Sequence, residues 1–499
     1  MTARKLQIFY SRRGCIMRRE HPLRIIRYST KNLWLLIFPI LRGAYHFTSQ
    51  EDIIEWFQGA WFDILVLLVI FGYGYLDWYF RKFTITEQCL FVQEGFFYTR
   101  KRCMPIRNIS AMTIEHPFWL RPVGGAYVYA DTAAGRMDST DIKLMIRIRD
   151  ETIFLSEFPR IRRGETHHYA HRVGFGRMLL FSVLFSSSFS GAVYMSVFWF
   201  QGGKIARDLI NQFHVAEYLS NISSGVADKL QGIPPVAVTV GILILFLWLI
   251  SFVKNIFRYG NFRMESDTHL LKVRSGLLTS RRFLIVNQKI NFVDIQQNLL
   301  TKFSRIYTLA VNCPGYGNEK GSIPICMPIL TKRELATTLP MIFPDIRITK
   351  NQLRAPYSAW WGYTYKQLIL FVAMIPAVKF ACQLLPQVED VISFFGTMIE
   401  LPILWKLVIQ IVGLITTGVS ITDGRICVRY CKGMAFHTII TNTDCLVKVE
   451  VQQHIWQRWF GTCHVTLYFQ AEITKKCKLL TLNYQDVQEL FAEFIPKEP

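Results

Sequence analysis

Positively charged side chains are the residues of this sequence whose type and spacing best suit a chemical task, and that task is anion binding. Arg and Lys donate charge-assisted hydrogen bonds to phosphate, and the planar guanidinium of Arg presents several donors at once. Seven such residues lie on or beside short alternating segments that end in glycine. They are Arg100, Lys101, Arg102, Lys272, Arg274, Arg281 and Arg282. We predict that they contact anionic lipid headgroups; the alternative is a generic basic surface close to a membrane.

Charged residues inside apolar segments form the second candidate set. They are Arg42, Asp63, Lys379 and Lys406. A charge at the centre of a transmembrane helix costs about 2.5–3.5 kcal/mol on insertion scales, so each of these residues needs headgroups, water or a partner. Snorkelling to the interface is one interpretation. Pairing inside a helix bundle is the other, and it would give a polar cavity for a transported lipid or peptide.

Sequence motifs of common enzyme classes are missing. The chain has no G-x-S-x-G motif, phosphate-binding loop, H-E-x-x-H motif or glycine-rich dinucleotide turn. The 11 cysteines form no C-x-x-C pairs. His167 and His171 have the spacing of a metal pair on a helix, but no acidic or cysteine ligand stands at matching spacing. We therefore expect a non-enzyme with no catalytic residue, no cofactor and no metal site.

The composition indicates a membrane protein. Of the 499 residues, 51% are hydrophobic and 19% are charged. That proportion excludes a disordered chain and argues against an ordinary soluble enzyme, because so much apolar surface needs lipid as well as a protein core. Six segments have the apolar character of membrane-spanning helices, which need roughly 20 residues. They are residues 33–47, 61–80, 178–200, 233–253, 367–386 and 401–419.

The distribution of basic residues predicts the orientation in the membrane. Residues 1–32 contain nine Lys or Arg, whereas the connections 48–60, 201–232 and 387–400 together hold three of the 57. Basic residues concentrate on the cytoplasmic side of membrane proteins. We therefore predict a multi-pass protein of the plasma membrane with both termini in the cytoplasm. The net charge of +21 is explained in this way without nucleic acid as a partner.

A threefold internal repeat follows the predicted membrane hairpins. Each copy alternates apolar and polar residues up to Gly95, Gly276 or Gly433, which predicts a β-hairpin with glycine in its turn. The residues expected to face one side of each sheet are Leu90 and Val92, Leu271 and Val273, and Val428 and Tyr430. An aliphatic residue recurs 14 positions after each glycine, at Ile109, Ile290 and Val447. A helix is expected after the strands, and in the second copy Thr331 and Glu334 predict its capping box.

The segment from Ile85 to Ile109 carries a resemblance to a known family. Its Ile-Thr start, Leu90, Val92, Gly95 and Pro105-Ile106 pair resemble the second type of bacterial pleckstrin-homology (PH)-like domain. Three copies, each after a transmembrane pair, resemble the YdbT-like bacterial membrane proteins. The resemblance implies a bent, seven-stranded antiparallel sheet with a C-terminal helix, no catalytic residues, and a smaller partner with one such domain on two spans. It also implies a role in envelope protection. In phosphoinositide-binding pleckstrin domains, the equivalent hairpin holds phosphates.

The predicted fold class is an α+β membrane protein with six transmembrane helices in three hairpins, each followed by a cytoplasmic PH-like β-sandwich or barrel with a C-terminal helix. The predicted boundaries are a basic N-terminus at 1–32, membrane hairpins at 33–80, 178–253 (outer loop 201–232) and 367–419, and PH-like domains at 81–165, 258–345 and 420–495. The predicted function is a non-catalytic scaffold at the cytoplasmic membrane face, in envelope homeostasis or protection. The alternative is a transporter or lipid-moving protein that uses the transmembrane bundle.

Overall fold

The computed structural model describes residues 17–31, 51–86, 88–132, 141–158, 169–185, 235–267, 269–314, 325–344, 346–386, 389–471 and 474–494. The chain divides into two compact units. The first consists of Met1–Thr166, Thr279–Val286 and Pro314–Asn318, and the second of His167–Leu278, Asn287–Cys313 and Glu319–Pro499.

Antiparallel strands and helices follow the threefold repeat. The described strands are β1 (Arg18–Arg19), β2 (Lys82–Ile85), β3 (Cys89–Glu94), β4 (Arg100–Pro105), β5 (Ile109–His116), β6 (Gly125–Thr132), β7 (Ile142–Arg147), β8 (Tyr169–Arg172), β9 (Arg263–Ser266), β10 (Leu270–Ser275), β11 (Ser280–Val286), β12 (Phe292–Asn298), β13 (Ile306–Asn312), β14 (Ile325–Thr331), β15 (Leu353–Arg354), β16 (Gly418–Thr422), β17 (Arg425–Lys432), β18 (Ala435–Asn442), β19 (Leu446–Gln452), β20 (Thr462–Phe469) and β21 (Lys475–Asn483). The described α-helices are α1 (Arg24–Lys31), α2 (Glu51–Phe80), α3 (Ile148–Glu157), α4 (Phe175–Phe185), α5 (Pro235–Tyr259), α6 (Leu299–Phe303), α7 (Lys332–Ile342), α8 (Trp360–Leu384), α9 (Glu389–Thr416), α10 (Ile455–Trp459) and α11 (Tyr484–Leu490).

The prediction of six transmembrane helices in three hairpins is wrong. Within the described residues, two helices are long and apolar enough to cross a membrane, at Tyr357–Leu384 and Phe395–Thr416. Shorter apolar helical stretches are described at Ile64–Phe80, the C-terminal part of α2, and at Phe175–Leu184 in α4. The predicted span 401–419 also ends early, because α9 stops at Thr416 and β16 begins at Gly418. The predicted span 33–47 and residues 186–200 of another lie outside the described residues.

Helices α8 and α9 approach each other closely at a glycine. A Cβ atom on Gly396 of α9 would lie 2.6 Å from Val378 Cγ2 of α8, so only glycine permits this approach. Away from that contact the pair exposes large apolar side chains, including Ile369, Phe380 and Leu404. Exposed apolar surface on a long helix pair is typical of contact with lipid.

Each repeat builds two short antiparallel segments around a buried core. The first repeat contains β2–β4 and β5–β7, the second β9–β11 and β12–β14, and the third β16–β18 and β19–β21. A 3-10 turn joins the two segments in each copy, at Ile106–Asn108, Asn287–Lys289 and Thr443–Cys445. The alternation prediction is confirmed, since Leu90, Val92, Leu271, Val273, Val428 and Tyr430 are all buried.

Glycine and helix-cap predictions are confirmed as well. Gly95, Gly276 and Gly433 have φ of 99°, 102° and 66°. Thr331 caps α7, with its hydroxyl accepting a hydrogen bond from the Glu334 backbone N–H at 3.3 Å. The Glu334 carboxylate in turn accepts from the Thr331 backbone N–H at 2.8 Å. These features depend on local backbone geometry, which a short sequence specifies.

One position of the third repeat was predicted wrongly. Equivalent 3-10 turns place Leu446, rather than Val447, at the position of Ile109 and Ile290. Leu446 is buried and Val447 is exposed. Only Gly433 and Met434 connect β17 to β18, whereas five residues connect β3 to β4, so counting from the glycine does not preserve the alignment.

Sheets that combine strands from neighbouring repeats replace the predicted self-contained β-sandwich of each repeat. In the first unit, β11 of the second repeat pairs antiparallel with β5 of the first. In the second unit, β18 of the third repeat pairs with β12 of the second, within a sheet of order β14-β13-β12-β18-β17-β16-β15. The physical reason is that each segment ends in a strand with unpaired backbone groups, and these groups pair with the corresponding edge of the next repeat.

A buried carboxylate lies at the β12–β18 junction. Asp294 of β12 is fully buried, and its Oδ2 lies 3.0 Å from His437 Nδ1 of β18 and 3.7 Å from Lys475 Nζ. Gln296 Nε2 also donates to this carboxylate at 3.1 Å. A charge removed from water needs such partners, so the cluster binds strands of two repeats together.

Substitution of Asp294 by Ala is expected to destabilise the second unit by about 3–5 kcal/mol, the usual cost of breaking a buried ion pair, because Lys475 and His437 lose their anion. Chemical unfolding of the detergent-solubilised chain would measure the loss. Lys448→Ala is the control: its ion pair with Glu450 is exposed, and the expected cost is below about 1 kcal/mol. Equal losses in the two variants would contradict the role assigned to the junction.

Substitution of Gly95 by Ala is expected to cost more stability than the same change at Gly433. A Cβ on Gly95 would lie 2.1 Å from the Tyr98 carbonyl oxygen, whereas nothing lies within 4 Å at Gly433. Both changes force an L-residue to positive φ, at about 1–2 kcal/mol, and only Gly95→Ala adds a backbone clash. Thermal unfolding of both variants would test this order, and the reverse order would contradict it.

Candidate membrane-contact surface

The β3–β4 hairpin of the first repeat ends in an exposed aromatic and basic tip. Gly95 makes the turn, and the Phe97 and Tyr98 side chains that follow are 86% and 80% exposed. Arg100 and Lys101 at the start of β4 are exposed as well. Aromatic rings beside cations suit the boundary between headgroups and acyl chains, where the rings insert and the cations meet phosphate.

Contacts with the end of an apolar helix position this tip. The ring of Phe96 lies 4.9 Å from that of Phe80, the last residue of α2. The next residue, Arg81, forms ion pairs with Glu94 of β3 at 2.7 Å and with buried Glu20 at 2.6 Å. The hairpin is therefore fixed to the C-terminal end of α2 by both apolar contact and charge.

The second repeat docks its hairpin in the same way. The Gly276 N–H donates to the Gly260 carbonyl at 2.8 Å, and the Leu277 N–H donates to the Phe257 carbonyl at 2.9 Å, both at the end of α5. A Cβ on Gly260 would lie 2.4 Å from Leu277 Cγ, so glycine is needed for this close packing. In the third repeat, a Cβ on Gly413 of α9 would lie 3.1 Å from Cys431 Cβ of β17. All three repeats thus place the first hairpin against the C-terminal part of a preceding apolar helix.

Aromatic residues cluster at the start of α8. Trp360 and Trp361 are exposed there, and the Tyr363 hydroxyl donates to the Leu480 carbonyl of β21 at 3.0 Å. Tryptophan and tyrosine concentrate at membrane–water interfaces because their rings are apolar and their polar atoms need partners. The third repeat therefore lies directly against the aromatic end of the apolar helix pair.

Ion pairs within the protein hold three of the seven basic residues predicted to bind lipid. Arg102 lies 2.7 Å from Glu94, Arg281 lies 2.9 Å from Glu115, and Arg282 lies 2.8 Å from Glu151. Arg100 and Lys101 are exposed beside the aromatic tip of the first unit. In the second unit, Lys272 and Arg274 are exposed on one face of β10. The side chains of these four residues are exposed, while the three ion-paired arginines connect neighbouring strands or a strand and a helix.

The structure describes three of the four charged residues that were predicted to lie inside membrane spans. Lys379 on α8 and Lys406 on α9 have exposed side chains on the surface of the helix pair. Asp63 lies on α2, and Arg42 lies outside the described residues. The positions of the two lysines are compatible with snorkelling along the helix surface.

The histidines considered as a metal pair do not share a described helix. His167 and His168 lie outside the described residues, and His171 lies on strand β8. There its ring stacks on Tyr169, with ring centroids 6.4 Å apart, and burial lowers its pKa. The helical spacing argument does not apply to His171, because residues on a strand alternate between faces.

Sequence reasoning missed a set of exposed aromatic residues after the first strand of each second segment. Phe118 and Trp119 follow β5, Phe303 ends α6 after β12, and Trp456, Trp459 and Phe460 follow β19. Phe303 and Trp459 are 91% and 74% exposed. The density of aromatics in residues 455–460 is the sequence signal that could have indicated them.

Comparison with known proteins finds one family in two regions of the chain. The sequence model of the family described as Bacterial PH domain matches residues 36–155 and 225–339. The chain contains a bacterial PH-like domain. The two matched regions hold the first and second repeats, and the PH-like third repeat of the prediction lies outside them. No curated protein and no solved structure matches the chain.

The double change Arg100→Gln with Lys101→Gln is expected to weaken lipid contact at the first PH-like hairpin. Each basic residue near an anionic surface contributes about 1 kcal/mol, so the pair should lower contact by roughly tenfold or more. A photoreactive benzoylphenylalanine at Phe97, in the full chain in anionic nanodiscs, would report contact as cross-links to labelled lipid. Lys332→Gln with Arg333→Gln on α7 is the charge-matched control. An equal loss in the control would show a general effect of net charge and contradict local contact.

Proposed function

We propose that this protein is a non-catalytic scaffold built from PH-like repeats and held at the cytoplasmic face of the plasma membrane. The observation that carries the proposal is the repeated docking of a hairpin against the end of an apolar helix. Such docking keeps the exposed hairpin residues at a constant depth relative to lipid. The apolar pair α8–α9 supplies the anchor, and the bias of basic residues supplies the sidedness.

The arrangement of charges supports a binding role. Exposed Arg100 and Lys101 lie next to Phe97 and Tyr98. Cations beside exposed aromatics bind a surface of anionic headgroups, which offers many weak sites in one plane. We therefore assign anionic lipid as the ligand class of the first hairpin.

A smaller membrane protein with one PH-like domain is the proposed partner, and envelope homeostasis or protection is the proposed process. Sheets that combine strands from different repeats favour such a partner, because a PH-like domain on another chain offers the same kind of strand edge. The YdbT-like resemblance implies both the partner and the process. The chain would then hold the partner at the membrane surface.

Affinity purification of the tagged full chain from native membranes is expected to recover this small protein in a fixed ratio. Cross-linking before solubilisation would keep weak complexes intact. A parallel purification of a tagged, unrelated membrane protein of similar abundance is the control. Recovery of this chain without any other membrane protein, in repeated preparations, would contradict the scaffold proposal.

A further inference from the structure

We propose that copies of this chain associate head to tail by strand pairing, with β19 of one copy joining β4 of the next. This inference goes beyond the scaffold role, because it concerns how copies of the protein contact each other. It rests on two observations. Equivalent strands of neighbouring repeats pair twice inside the chain, as β5 with β11 and as β12 with β18. The equivalent strands β4 and β19 lie at the edges of their described sheets.

The two junctions inside the chain share one register. At the first, Arg281 of β11 lies opposite Glu115 of β5. At the second, His437 of β18 lies opposite Gln296 of β12. When the repeats are aligned on their 3-10 turns, Arg281 corresponds to His437 and Glu115 to Gln296. The same two strands of each repeat therefore meet in the same alignment, so the pairing is a property of the repeat.

The inner junctions join two types of strand, and one strand of each type lies at the edge of a described sheet. In the sheets that the structure describes, β4 ends the order β1-β2-β3-β4, and β19 begins the order β19-β20-β21. Strand β4 is the first-repeat counterpart of β11 and β18, and β19 is the third-repeat counterpart of β5 and β12. A row of unpaired backbone groups along a strand is a template for another strand. Since each copy carries both members of the pair, a second copy supplies the missing strand to each edge.

Side chains on the two edges match in the register of the inner junctions. That register sets Arg102 opposite Glu450, which places opposite charges in a cross-strand pair. It also sets Cys103 opposite Val449. The counterparts of Cys103 are Leu284 and Ile440, which are buried at the inner junctions, whereas Cys103 is exposed. Pairing would cover this position as it is covered in the other two repeats.

The features of β4 that often protect an edge strand do not block this pairing. Basic residues are common on unpaired edges, yet β11 carries Arg281 and Arg282 and is still paired with β5. Pro105 has no N–H to donate, but its counterparts Val286 and Asn442 lie beyond the residues paired at the inner junctions.

Contacts of this kind are heterologous, because one copy offers β19 and the next offers β4. Such contacts close into a ring or continue as a linear assembly, whereas a twofold dimer would leave both edges unused. The test must therefore detect direction as well as association.

Cysteine cross-linking in the full-length protein in native membranes provides that test. Directly opposed residues on antiparallel strands lie close enough for a disulfide, so Val449→Cys should bond to native Cys103 of a neighbouring copy under mild oxidation. We expect about tenfold more linked dimer and higher oligomers than with Val447→Cys, a control on the same strand that lies two residues out of register, at the register shift between Leu446 and Lys448. Val447 is the more exposed of the two, so random collision would favour the control.

Two differently tagged copies establish the direction. One carries Val449→Cys with Cys103→Ser, and the other is the unsubstituted chain. Mixed dimers should link, while the doubly substituted copy alone should not. Linkage equal to the Val447→Cys control, linkage only within one chain, or linkage only to a different protein would each overturn the proposal. The last result would leave the scaffold proposal intact, because that proposal requires a partner protein.

Discussion

Backbone hydrogen bonding at strand edges is the constraint on which the described β-structure depends. Each repeat makes two short segments, and a three-stranded segment leaves edge N–H and C=O groups that must find partners. The chain satisfies many of them by pairing β5 with β11 and β12 with β18. The buried Asp294 cluster and the Arg281–Glu115 ion pair then stabilise the junctions between repeats. Joined sheets bury more apolar surface than separate domains of this size could bury alone.

The second organising feature is the contact between each first hairpin and an apolar helix. Gly260 and Gly413 allow the hairpins of the second and third repeats to approach helix backbones closely, and aromatic contact does the same in the first. A hairpin attached in this way cannot move far from the helix end. This attachment fixes exposed Phe97 and Tyr98 and the neighbouring cations relative to the helix end, as the proposed role in membrane contact requires.

Local features were predictable from the sequence, and assembled features were not. The hairpin glycines, the buried alternation at Leu90 and Val92 and the capping box at Thr331 depend on a few adjacent residues. The roles of Arg281 and Arg282 were missed, because their partners Glu115 and Glu151 lie more than 130 residues away. The end of the helix at residues 401–419 was placed three residues too late, because apolar residues such as Val419 also suit a buried strand.

The amino-acid order alone determined that the chain is apolar and basic, and it predicted the turn glycines Gly95, Gly276 and Gly433. These properties follow from periodicity and composition, which are local. The tertiary structure decided which repeat pairs with which, which arginines are held in ion pairs, and which apolar helices are long enough to span. Those outcomes depend on long-range contacts: any strand edge can pair with another, and only packing and register select the partner.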